Sequence, residues 1–147
     1  MTSTFLRSTL AAATCAVTIA FAGTAFAEVV NLKAALNGAT EVPANETKGT
    51  GTVTATFDTA SKKLTWKGSY SGLTGPATAA HFHGPAEPGK NAGVAVPIFA
   101  AAAAKTPFEG EATLTDAQAA DLLAGKYYAN VHTEANKGGE IRGQVTK

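Results

Sequence analysis

Gly51-Thr52-Val53-Thr54-Ala55-Thr56-Phe57 alternates without a fault. Val53, Ala55 and Phe57 point one way and the threonines the other, the period-two signature of a strand with one buried face. Asp58 to Lys62 is a turn, and beyond it Leu64, Trp66, Gly68 and Tyr70 alternate with Thr65, Lys67 and Ser69. The two stretches read as neighbouring antiparallel strands. Upstream, residues 29–36 are apolar-rich and stop at Asn37-Gly38, a strong turn signal.

Downstream, strands are predicted at 78–83, 94–99, 108–114, 127–133 and 140–145. The continuous apolar run 94–99 reads as a buried strand, and the alanine stretch 100–104 stays undecided between helix and loop. A single helix is predicted near residues 116–124. Thr115 and Gln118 form a capping box, Asp116 suits the first turn, and Gly125 stands where a helix ends. Seven or eight short strands with regular turns and no βαβ alternation predict an all-β fold. It is an antiparallel β-sandwich or barrel, of Ig-like or Greek-key type, with one short connector helix.

The chain has 147 residues. Residues 1–27 have the layout of a secretory signal peptide: Arg7, an apolar stretch from Leu10 to Phe21, then Ala25-Phe26-Ala27 as an A-x-A cleavage site. The domain then spans residues 28–147, and the protein is expected to be exported, to a periplasm or to the extracellular space. Cys15, the only cysteine, leaves with the signal. So does Arg7, the only charge in that stretch, so that of 12 basic and 11 acidic residues 11 of each remain. A neutral balance excludes a nucleic-acid binder. No membrane span is expected once the signal is removed.

Chemistry concentrates in His81-Phe82-His83-Gly84-Pro85 and in Tyr128-Ala129-Asn130-Val131-His132-Thr133, which hold all three histidines. On a strand, His81 and His83 share a face, about 6.6–6.8 Å apart at Cα. Ala80 and Phe82 suit the core, leaving both histidines on the opposite, polar face. Parity on the last two strands puts Tyr128, Asn130 and His132, and Glu140, Arg142 and Gln144, on the polar face too. If the strands are adjacent, His81, His83 and His132 converge on a metal, with Cu(II) and Zn(II) the natural ions for imidazole. Glu140, or a water, completes the site; Glu134 and Glu87 are further candidates. Asn130, Arg142 and Tyr128 are the neighbours that orient the ligands. The bland reading is a solvated polar face on which Glu140 and Arg142 form a cross-strand ion pair. No catalytic residues are assigned. The domain has no G-x-S-x-G elbow, no phosphate-binding glycine loop, no cysteine nucleophile and no recognisable carboxylate pair.

Leu36-Asn37-Gly38-Ala39-Thr40-Glu41-Val42-Pro43, Tyr70-Ser71-Gly72-Leu73-Thr74, Ala79-Ala80-His81-Phe82-His83-Gly84-Pro85-Ala86 and Gly138-Gly139-Glu140-Ile141-Arg142-Gly143-Gln144 together resemble the CHRD (chordin-type) domain. The resemblance runs in order over about residues 29–146. It implies a β-rich extracellular module without catalytic residues, whose His-x-His and His-Thr positions fall on His81, His83, His132 and Thr133. Lys137 stands where the family often has proline. The strand-borne H-x-H is also superficially similar to that of copper–zinc superoxide dismutases, but three histidines cannot build both of those metal sites.

Three functions follow as expectations. The first is an exported binding protein that holds Cu(II) or Zn(II) and loses it below about pH 6, where free imidazole protonates. The second is a metal-free module for an envelope or extracellular protein or polysaccharide. A metalloenzyme using the open metal position ranks last.

Overall fold

The computed structural model describes residues 27–147. The signal-peptide reading thus falls outside the described residues except at Ala27. Eight strands form: β1 (Val29–Asn37), β2 (Thr50–Asp58), β3 (Lys63–Ser71), β4 (Ala77–His83), β5 (Val94–Ala100), β6 (Phe108–Thr113), β7 (Tyr128–Thr133) and β8 (Ile141–Gln144). They make one antiparallel sheet in the order β5-β4-β7-β8-β1-β2-β3-β6. The two end strands meet at a seam. Phe99 of β5 and Phe108 of β6 pack edge to face at 5.4 Å, and Tyr70 sits 6.2 Å from each. The sheet therefore wraps into a nearly closed barrel, the all-β architecture expected from the alternation. Counted across the seam, β3, β6, β5 and β4 follow one another in Greek-key order.

The alternation of β1, β2 and β3 becomes the core directly. Val30, Leu32, Ala34, Leu36, Val53, Ala55, Phe57, Leu64 and Trp66 are all buried. Cross-strand register stacks Leu32 against Ala55 and Ala55 against Trp66. From the other side, Phe82 meets Trp66 edge to face at 5.3 Å, a favourable aromatic geometry. Gly110 lies opposite Trp66, where a Cβ would stand 2.6 Å from the indole. The indole fits because that position has no side chain.

The helix α1 spans Asp116–Leu123, with the Thr115–Gln118 capping box in place and Leu122 buried. The stretch at 100–104 resolves as a short 3-10 turn, Ala101–Ala103. The run 94–99 differs from its reading as a buried strand: only Val96 and Phe99 are buried, while Val94 is 55% exposed. As an end strand, β5 pairs only with β4, and two bulges flank His81 and His83. Each bulge adds a residue on β5 and breaks its alternation.

The larger correction concerns the polar face. It is not a solvated surface, because every residue of β7 is buried. The segments between β1 and β2 and between β4 and β5 close over it. Among their bonds, Asn91 donates to Val42 O at 3.1 Å and Asn45 to Glu140 O at 3.0 Å.

Candidate metal centre

β4 and β7 are neighbours, the condition on which convergence rested. Their register sets Ala79 opposite His132, His81 opposite Asn130 and His83 opposite Tyr128. Pleat parity then delivers all three imidazoles to one place. A ring nitrogen from each of His81, His83 and His132 lies within 4.8 Å of the other two. His83 and His132 are 8% and 9% exposed, while His81 is half-buried and forms the side open to solvent.

The hydrogen bonds assign the nitrogens. His83 Nδ1–H donates to Ala92 O at 3.0 Å and His132 Nδ1–H to Lys137 O at 2.9 Å. A carbonyl can only accept, so in the neutral rings both Nε2 atoms carry lone pairs. His132 Nε2 receives His81 Nδ1–H at 3.0 Å. His83 Nε2 is buried with no partner. Backbone-anchored Nδ1 with a free Nε2 is the arrangement of metal-binding histidines. To join, His81 must break its bond to His132 and present a lone pair instead.

The site also favours neutral, ligating imidazoles. Burial, reinforced by the His132 and His83 charges, pulls His81 down to about 4. Burial likewise lowers His83, against the Ala92 bond, and His132, against the Lys137 bond.

A stack braces the cluster from one side. The His83 ring lies flat on Tyr128 at 4.9 Å, and the Arg142 guanidinium sits 3.4 Å over the Tyr128 ring. One short segment latches all three. Ala92 holds His83 and bonds the Tyr128 hydroxyl through both N (3.2 Å) and O (3.3 Å), while Arg142 donates to Asn91 Oδ1 at 2.8 Å and to Lys90 O. Asn130, Tyr128 and Arg142 thus lie beside the histidine cluster or one residue removed from it.

The carboxylates do not. Glu140 is fully buried but lies outside the histidine cluster. It accepts from Thr47 Oγ1 (2.6 Å), Thr74 N and Oγ1 (2.7 Å each) and Thr133 Oγ1 (2.6 Å). Burial alone would raise its pKa; the bonds from Thr133, Thr47 and Thr74 outweigh that and hold it at about 2. It is a structural anion that ties two loops to β7, and no ion pair with Arg142 forms. Glu134 and Glu87 are exposed, 3.4 Å from Lys137 and 4.0 Å from Lys126. None of these three carboxylates joins the histidine cluster.

The buried carboxyl beside Asn130 and Arg142 is Glu41, which sequence reasoning passed over. It is 6% exposed, its Oε1 has no partner, and burial pushes it up to about 7 against the pull of Arg142. Its signal was present in the Leu36–Pro43 motif, but no parity argument reaches a loop residue. A groove of about 1020 Å³ lies elsewhere, on the outer face of β1, β2, β3 and β6, and carries no histidine.

Fold and site together define an all-β domain with a roofed three-histidine cluster. The chain belongs to the CHRD domain family, whose sequence model matches residues 32–145. No curated protein and no solved structure matches the chain. Among the described residues no helix is long and apolar enough to cross a membrane.

Proposed function

We infer that this protein is an exported metal-binding protein, not an enzyme, and that His81, His83 and His132 hold one Cu(II) or Zn(II) ion. The observation that carries this reading is His83 Nε2, a buried lone pair with no partner, within 4.8 Å of a nitrogen from each of the other two histidines. An unpaired buried acceptor costs about 1–3 kcal/mol, and a metal ion removes that cost. Imidazole-only ligation selects zinc or copper over magnesium or calcium, which prefer oxygen. Three protein ligands leave a coordination position open. Export rests on the layout of residues 1–27 and on the extracellular character of CHRD domains.

The competing reading is a metal-free module for an extracellular or envelope protein or polysaccharide. One observation favours it: the 3.0 Å bond between His81 and His132 satisfies two ring nitrogens without a metal. Calorimetric titration with Cu(II) and with Zn(II) separates the two. One ion per chain bound below micromolar Kd, and lost on combining His81→Ala, His83→Ala and His132→Ala, is the expected result. Weak binding that survives in the triple variant would leave the interaction module.

A further inference from the structure

Three buried side-chain atoms without partners belong to one row: His83 Nε2, Asn130 Oδ1 and Glu41 Oε1. Asn130 stands between the other two and faces both. Gly139, at φ +133°, brings Glu41 and Asn130 together. A Cβ there would lie 2.4 Å from Glu41 Oε1 and 2.5 Å from Asn130 Nδ2. A metal on His83 satisfies the first atom of the row. Neither of the other two oxygens accepts a hydrogen bond, an expensive state when buried. A proton on Glu41 itself supplies the missing donor.

The surroundings offset a Glu41 carboxylate only in part. β7 contributes the neutral Asn130, and β4 contributes His83 beyond it. β8 contributes Arg142, whose guanidinium is committed to Asn91, Lys90 O and the face of Tyr128, and no ion pair with Glu41 forms. Glu140, next to Gly139, is enclosed by its threonines. The occupied site has the opposite need. Three neutral imidazoles leave a divalent ion its full charge, and no carboxylate lies among the ligands.

We propose that Glu41 compensates that charge: it is a carboxylic acid while the three-histidine site is empty and a carboxylate while a divalent cation occupies it. The O–H bond of Glu41 breaks as the metal enters, and the proton leaves to solvent. This rests on the three-histidine reading. Burial supports it independently by keeping the empty-site carboxyl largely protonated below about pH 7.

The test is zinc titration of the purified protein at about pH 6, in buffers of different ionisation enthalpy, which counts protons released. Burial lowers all three imidazoles, and a zinc-bound water, with a pKa of about 7, largely keeps its protons, so whatever either releases is shared with Glu41→Gln. The expected release from the native protein exceeds that from Glu41→Gln by about one proton per zinc. Equal release from both would overturn the proposal and make the histidines the source. Should Glu41→Gln not fold, infrared difference spectra of the native protein decide. Zinc should abolish a protonated-carboxyl band at about pH 6, and a band that persists would overturn the coupling. Zinc binding without Glu41-dependent release defeats the coupling alone; absence of zinc binding defeats the three-histidine reading and the coupling with it.

Discussion

At the scale of the residue, charge state follows the hydrogen bonds available. Glu140 and Glu41 are both buried, yet one is held at about 2 and the other raised to about 7, because four donors bond the first while burial outweighs the few donors near the second. Glu140→Gln should cost about 2–3 kcal/mol at neutral pH in urea unfolding, since an amide cannot accept all four bonds. Its folded pKa lies below the ordinary 4.5. The carboxylate's contribution is thus complete above that value and lost as pH falls towards about 2, so the gap between variant and native protein should close in acid. Metal stoichiometry should not change in this variant. The histidines also move in one direction. With His81 lowered to about 4 and His83 and His132 lowered too, protons compete for the site later than free imidazole implies. Zinc affinity should therefore fall only about tenfold per unit as pH drops from about 7 towards about 5.5, the slope of the single Glu41 proton, and not more steeply as protonating imidazoles would require. Residue identity in the sequence named the three histidines that cluster. It misassigned Glu140, because which oxygen meets which threonine depends on loops that have no period to read.

At the scale of the element, the site depends on β7 lying between β4 and β8. β8 is only four residues long, and its named pairing with β1 is the single Asn37–Arg142 register. The contact is close: a Cβ on Gly143 would lie 2.2 Å from Ala35 O, a backbone atom that cannot step aside. Gly143→Ala should therefore cost about 2–3 kcal/mol, measured by thermal or urea unfolding, and weaken metal binding as β8 draws Arg142 away from Tyr128. The segment after β4 acts as a latch. Tyr128→Phe removes two bonds to Ala92. That should cost about 1 kcal/mol in the same assay and lower zinc affinity several-fold, because Ala92 O also fixes the His83 ring. Strand existence and parity were legible, since alternation is a local property of the backbone. The exposure of Val94 was not: an apolar run reads the same in a central strand as in a bulged end strand.

At the scale of the whole molecule, the barrel stays nearly closed because aromatic rings fill the gap where β5 and β6 do not pair. Phe108 is buried against Phe99 and Tyr70. Phe108→Ala should destabilise by about 3–5 kcal/mol, read from the unfolding midpoint, while leaving the metal stoichiometry intact on the far side of the sheet. By itself the sequence determined the all-β class, the capped helix, most core residues, the family and the common face of the three histidines. Each of these follows from side-chain type and a period of two or 3.6 along the chain. Only the tertiary structure decided that β4 lies beside β7, that loops roof the polar face, that Glu140 serves the scaffold and that Glu41 lies beside Asn130 and Arg142. Those facts depend on strand order and loop paths, where residues far apart in sequence meet, and no local periodicity encodes them.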